Sequence, residues 1–367
     1  MKPQTETHLV QLDGIRFFAI LFVMIAHWLQ WQMHFFAMKH AEFVHGVTLF
    51  FVLSGFLITR ILIVNKLKYE AAKRSPSGLL KSFYIRRFLR IFPIYYLTLF
   101  FLLAINFKNI HEVFIYLVTY TSNIYQSATN NYIGSFNHFW SLAVEEQFYI
   151  IWPWVIIFTP LKHLKKVIIG FVFLSVATRF YLFYQMNWAW MAFDYFPLSC
   201  FQALAMGGLV AYWTVLKSDM LEKLDKGWLI WSGIAVYTIF MYTRSYHELK
   251  AAKVLFDGLL FSAVAGLIIL RASKGSFTGI SKKILENRFV LYSGKISYGM
   301  YIFHLFIPEL YYKLSPKIGI TATNKYSQFV VFYVLTFVLS HFSWKYFESP
   351  INNLKDRFPY FKKDSDG

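Results

Sequence analysis

The run LDGIRFFAILFVMIAHW, from Leu12 to Trp28, decides the fold. It is apolar over nearly the ~20 residues that a helix needs to cross a bilayer, yet it carries Asp13, Arg16 and His27. Polar groups are costly inside a membrane, so they turn towards a bundle interior or a water-filled cavity. Arg16 and His27 are eleven residues apart, or three helical turns. They therefore point within about 20° of each other and lie roughly 16 Å apart along the axis. Asp13, one turn before Arg16, is placed to hold its guanidinium. One helix face thus presents a cation near its start and an imidazole deep in the membrane. The purely structural alternative is an arginine reaching for the interface and a core histidine bonded to a neighbouring hydroxyl.

Further apolar runs follow outward from this one. Spans are expected near 12–30, 44–64, 91–107, 141–160, 166–186, 197–216, 228–243, 254–271, 289–312 and 328–347. The segment Val113–Tyr125 is apolar but short and aromatic, which suits a re-entrant or interfacial piece. The expected fold class is therefore an all-α, polytopic transmembrane bundle of about ten spans. Composition agrees. Of 367 residues, 57% are hydrophobic and only 15% charged, against about 45–50% and about 25% in soluble domains. The expectation is one integral-membrane domain over residues 1–367, with no appended soluble domain and no cleaved signal peptide, because Met1–Leu12 is polar and no small-residue cleavage site follows.

The net charge of +18 would suggest nucleic acid in a soluble chain, but here its position matters more. With Met1–Val10 placed in the cytoplasm, the loops and ends on that side hold 26 basic residues and the opposite side eight. Arg16, Arg179 and Lys295 fall within spans. That asymmetry satisfies the positive-inside rule with both termini cytoplasmic and makes the lipid bilayer, not nucleic acid, the partner. Counting Val113–Tyr125 as a span would move Lys162, Lys165 and Lys166 outside and break the pattern. A single cysteine, Cys200, excludes an internal disulfide or a cysteine metal cluster, and no metal is expected.

Four other stretches carry polar side chains into apolar surroundings. In HFWSLAVEEQFY, His138–Tyr149, Glu145 and Glu146 point about 100° apart. Both can face the interior but towards different partners, one being His27 and the other Arg87 or Arg90; a structural ion pair is the plainer reading for one of them. In KSFYIRRFLRIFP, Lys81–Pro93, Arg86 and Arg90 share a face, and Arg87 neighbours Arg90. Three guanidiniums suit a diphosphate, although on charge alone anchoring to anionic lipid heads accounts for them. Ser54 and Gly55 put a small pair in mid-span, where backbones or a thin ligand chain can approach. Ser297, Tyr301 and His304 form a polar stripe on one helix.

These motifs together resemble the acyltransferase 3 family of membrane-bound acyltransferases. The likeness covers most of the chain. It rests on Arg16 and His27 in their Arg-x10-His spacing, FFVLSGFLIT at Phe50–Thr59, RRFLRIFPIYY at Arg86–Tyr96, FWSLAVEEQFYIIWP at Phe139–Pro153 and ISYGMYIFH at Ile296–His304. The first alone would be weak; five in order are specific. The resemblance implies transfer of an acyl group, commonly acetyl, from cytoplasmic acetyl-CoA or another acyl-CoA. The acceptor would be a carbohydrate or glycolipid hydroxyl, as in lipopolysaccharide, exopolysaccharide or peptidoglycan. It implies that Arg16 and His27 are the essential pair, that Arg87 and Arg90 lie at the CoA end, and that Glu145 is the buried acid. Some members carry an extracytoplasmic hydrolase-like domain, so a separate extracytoplasmic partner is allowed for, as is a homo-oligomer.

The expected site is then His27, Arg16 and Glu145 as catalytic residues, with Arg86, Arg87, Arg90, Ser54 and Gly55 towards the donor. Asp13, Trp140, Glu146, Ser297, Tyr301 and His304 support them. CoA phosphates would dock on the arginines while the pantetheine arm runs past Ser54 and Gly55 towards His27. A neutral His27 would serve as general base or as a transient acyl carrier. The rival from another class is a proton-coupled transporter or exporter in the inner membrane. Against it, the chain has no repeated halves and no matched broken helices. The aromatics Trp28, Trp31, Trp188, Trp190, Phe193 and Tyr195 suit an interfacial belt before they suit sugar stacking.

Overall fold

A computed structural model describes residues 9–29, 45–186, 189–243, 250–318 and 324–361. Trp31, Trp188, Lys2, Lys39, Arg244, Lys362 and Lys363, all used in the topology and belt readings, lie outside the described residues. The structure is 87% helical, with no strand among the described residues. Eight helical segments are long and apolar enough to cross a membrane, namely 10–29, 45–71, 77–104, 134–158, 161–185, 197–216, 254–273 and 325–357, and a shorter apolar helix covers 227–242.

The first helix, α1 (Val10–Leu29), is followed by α2 (His45–Ala71) and α3 (Ser77–Ala104). The last begins fourteen residues before the expected span at 91, so the whole arginine run is helical. Two short helices follow, α4 (Ile110–Val118) and α5 (Ser122–Thr129). At ~1.5 Å per residue, the nine residues of α4 reach about 13 Å, well short of a ~30 Å hydrocarbon core. Then come α6 (Phe139–Phe158), α7 (Leu161–Gln185), α8 (Trp190–Tyr195) and α9 (Pro197–Leu216).

The second half comprises α10 (Ser218–Leu224), α11 (Gly227–Thr243), α12 (Lys250–Ser273), α13 (Gly279–Leu285), α14 (Arg288–Lys295), α15 (Ser297–Phe303), α16 (Phe306–Ile318) and α17 (Lys325–Ser343). The span expected at 289–312 is therefore three short helices and not one. Two local features lie at the breaks. Gly294 packs so closely on α1 that a Cβ there would lie 1.9 Å from the Asp13 carbonyl oxygen. At the second break, the His304 ring Nδ1 takes the Tyr301 carbonyl at 2.6 Å, satisfying an end-of-helix acceptor that would otherwise be left open.

The tightest helix pair explains Gly55. A Cβ on Gly55 would stand 1.9 Å from the Leu204 carbonyl oxygen, and one on Gly207 would stand 1.9 Å from that of Val52. Facing glycines let α2 and α9 touch backbone to backbone, which is how small residues drive packing where lipid removes the hydrophobic incentive. The α6 end is closed by Lys66, whose Nζ donates to the carbonyls of Ile156 (3.2 Å) and Thr159 (2.5 Å). Trp152 is fully buried beside them and donates Nε1–H to Thr59 Oγ1 at 2.7 Å. On the outside, Trp231 (73% exposed) and Phe173 (72%) point away from the bundle, as a lipid-facing surface requires.

Candidate active site

Two adjoining cavities, with Val47, Phe51 and Tyr301 in the walls of both, lie inside the bundle. The first holds about 840 Å³ of non-atom space, counting its open mouth, and Arg16, Arg87 and Arg90 reach into it with Ser54, Glu145 and Glu146. Arg16 is ion-paired with Asp13. The Arg87 guanidinium lies over the Phe83 and Tyr149 rings at 5.7 and 5.3 Å, which orients a cation without neutralising it. Ser54 Oγ donates to Glu145 Oε1 at 2.7 Å. Ser297 lies in the wall, and so do Ser141, Tyr149 and Tyr298, three residues the sequence reading did not assign. Aromatic and hydroxyl side chains in apolar helices carry no signal of their own in a single sequence.

Arg86 is elsewhere. Its Nη1 donates to the carbonyls of Lys355 (2.8 Å) and Phe358 (3.3 Å), and its guanidinium covers the Tyr360 ring at 4.6 Å. It holds the segment after α17 against α3, while Arg87 and Arg90 turn inward. Gly55 is absent from the cavity wall because Leu204 occupies the space beside it.

The second cavity, about 1880 Å³ with its mouth, contains His27 together with Trp140, Tyr195, Trp190, Asp194, Asp257 and Gln202. Trp140 stacks on Tyr195 at 4.3 Å and 9°. Trp28, named for the aromatic belt, instead packs edge-on against Phe329 and Phe332 at 5.6 Å. Arg179 is bound to Asp194 and to the carbonyls of Val254 and Phe193.

His27 is joined to the stripe on α15. His27 Nδ1 lies 3.0 Å from His304 Nε2, and His304 Nδ1 lies 2.6 Å from the Tyr301 carbonyl oxygen. A carbonyl only accepts, so His304 carries its proton on Nδ1 and, when neutral, offers Nε2 as an acceptor. His27 then donates from Nδ1, which leaves its Nε2 with a free lone pair. His304 is fully buried and His27 opens to the cavity. Neither Glu145 nor Glu146 takes the place beside His27 that the sequence left open for one of them. His138, quoted in the sequence but given no role, donates Nε2–H to the Ile302 carbonyl at 3.1 Å and stands edge-on to His304, ring centroids 4.9 Å apart. Tyr301 donates to the His138 carbonyl at 2.9 Å, with Ser141 Oγ 2.5 Å away. No group of three His, Cys, Asp or Glu side chains among the described residues could hold a metal ion.

The arrangement can therefore bind an anion at one end and take a proton at the other. Comparison with known proteins gives it a family. The chain is 29% identical to the peptidoglycan O-acetyltransferase OatA of Listeria monocytogenes, over 98% of this chain and 58% of that protein. It is 28% identical to a putative O-acetyltransferase of Staphylococcus aureus, over 92% and 56%. The putative peptidoglycan O-acetyltransferase YrhL of Bacillus subtilis is 27% identical, over 95% and 56%. The chain thus spans little more than half the length of these relatives. No solved structure matches it. A family model described as an acyltransferase domain matches residues 9–344, and the chain belongs to that acyltransferase family.

Proposed function

We propose that this chain is a multi-pass O-acyltransferase of the inner, cytoplasmic membrane. In this reading it moves an acyl group, acetyl by analogy with its relatives' names, from acyl-CoA to a carbohydrate hydroxyl of the cell envelope. The 26-to-8 asymmetry of basic residues supports cytoplasmic termini, which would open the arginine cavity to the cytoplasm and the His27 cavity to the other side. Peptidoglycan is the acceptor favoured by the relatives' names.

The observation that carries the reading is His27 in the wall of the second cavity, with Nδ1 bonded to His304 Nε2 so that a neutral ring keeps its lone pair on Nε2. CoA phosphates would rest on Arg16, Arg87 and Arg90, whose fixed forks suit phosphate oxygens. The acceptor hydroxyl would give its proton to His27 Nε2 as its oxygen attacks the thioester carbonyl carbon. The C–S bond then breaks, and the CoA sulfur receives that proton from the imidazolium. The same lone pair could attack first, giving an acyl-imidazole that the hydroxyl then resolves. Rapid acid quench of purified protein with radiolabelled acetyl-CoA separates the two routes. Label retained on His27 supports the carrier, whereas steady turnover with no protein-bound label supports the base. Absence of CoA release from any acyl-CoA, with a glycan acceptor present, would refute the function itself.

A further inference from the structure

The two cavities adjoin, and the side chains they share fall where the lining changes over on three helices. On α2, Phe50 lines only the arginine cavity, whereas Phe51 lines both. On α6, Ser141 lines the arginine cavity and its neighbour Trp140 the histidine cavity. On α15, Tyr301 lines both, as does Val47 one turn before Phe51. These three shared side chains are buried, Val47 at 9% exposed, Phe51 at 4% and Tyr301 at 5%. The partition is also braced. Phe51 meets Trp140 edge-on at 6.0 Å, Phe50 meets Tyr301 edge-on at 6.2 Å, and the Tyr301 hydroxyl is held by Ser141 and the His138 carbonyl.

We propose that Val47, Phe51 and Tyr301 form an acyl-selecting aperture between the donor and acceptor chambers, admitting a short acyl group while CoA and the acceptor each stay on their own side. This rests on the acyl-transfer reading above and adds to it a determinant of acyl length. Among the described residues, the side chains that line both cavities are these three, so a thioester bound from the arginine side would meet His27 past two large rings and one branched side chain. An acetyl group presents one methyl to such a gap, whereas a longer chain must displace close-packed rings, and inserting methylenes into packed interiors is destabilising. The same wall keeps acceptor-side water off the thioester. Water that reached it would add its oxygen to the carbonyl carbon and release the carboxylic acid, with the remaining proton going to the CoA sulfur.

The test uses the full chain, purified and reconstituted in liposomes, with acetyl-, butyryl- and octanoyl-CoA and a solubilised glycan acceptor. Phe51→Ala is expected to raise the butyryl-to-acetyl ratio of kcat/KM at least tenfold and to raise acceptor-independent CoA release severalfold. Trp231→Ala, altering a ring that is 73% exposed and points away from the bundle, is expected to leave both readouts within twofold of wild type. If Phe51→Ala does not fold, Phe51→Leu and Val47→Ala are expected to shift the ratio in the same direction by a smaller factor. A ratio that is unchanged in every folded variant overturns the aperture. Wild-type protein that releases no CoA from any of the three donors overturns the acyl-transfer reading instead.

Discussion

Removing His304 isolates what the histidine pair contributes. In His304→Ala, His27 Nδ1 loses its partner at 3.0 Å, and with it the acceptor that holds the proton on Nδ1. The net worth of one such hydrogen bond is about 0.5–1.5 kcal/mol. At 1.36 kcal/mol per factor of ten, that corresponds to roughly 2- to 13-fold. The loss is expected in kcat, with the acyl-CoA KM within about twofold, since the arginines that would hold the phosphates lie in the other cavity. His304→Gln, whose amide oxygen can accept from His27 Nδ1, is expected to recover part of the loss. CoA release with a thiol reagent, on variants matched for thermal stability in detergent, measures both constants. Unchanged kcat in a folded His304→Ala protein would refute the relay. A rise in KM alone would place His304 on the donor side and refute its positioning role.

Other perturbations separate neighbouring residues. Arg87→Ala and Arg90→Ala are expected to raise the acyl-CoA KM about tenfold or more. Arg86→Ala should leave KM within twofold but expose the segment after α17 to limited proteolysis, because its contacts are Lys355, Phe358 and Tyr360. Gly55→Ala would drive a methyl into the Leu204 carbonyl and is expected to destabilise the bundle by ~1–3 kcal/mol, read as earlier thermal unfolding with the acyl-CoA KM unchanged. At the loop after α10, Asp225 is bonded to Lys274, Ser276 and Arg271. Burial opposes its charge, but these bonds and charges prevail and hold its carboxyl below the ordinary value. A lowered folded value gives stability that is complete above the unfolded pKa of ~3.9 and is lost as pH falls through the folded one. Wild type should therefore exceed Asp225→Asn in stability at neutral pH, and the gap should close below about pH 4.

Helical periodicity and hydropathy made the bundle legible. They also made legible the Arg16-to-His27 relation, because both residues lie on one helix and three turns fix their geometry whatever surrounds them. The sequence hid contacts between helices. Nothing local distinguishes the inward Arg87 and Arg90 from Arg86, since the segment that captures Arg86 begins some 270 positions later. Gly55 reads equally as room for a ligand or for a backbone, and only the facing Gly207 on α9 decides. Averaged hydropathy cannot see a helix end set by a side chain, so 289–312 read as one span although His304 closes α15. A second buried histidine reads from sequence as structural, and only the fold shows that His304 is bonded to His27.

The measurement closest to the central claim compares wild type with His27→Ala in reconstituted liposomes, following acyl-CoA binding and acyl transfer to a glycan acceptor side by side. The account predicts that His27→Ala binds acyl-CoA within about twofold of wild type and transfers nothing above background. Full transfer by a folded His27→Ala protein would contradict it.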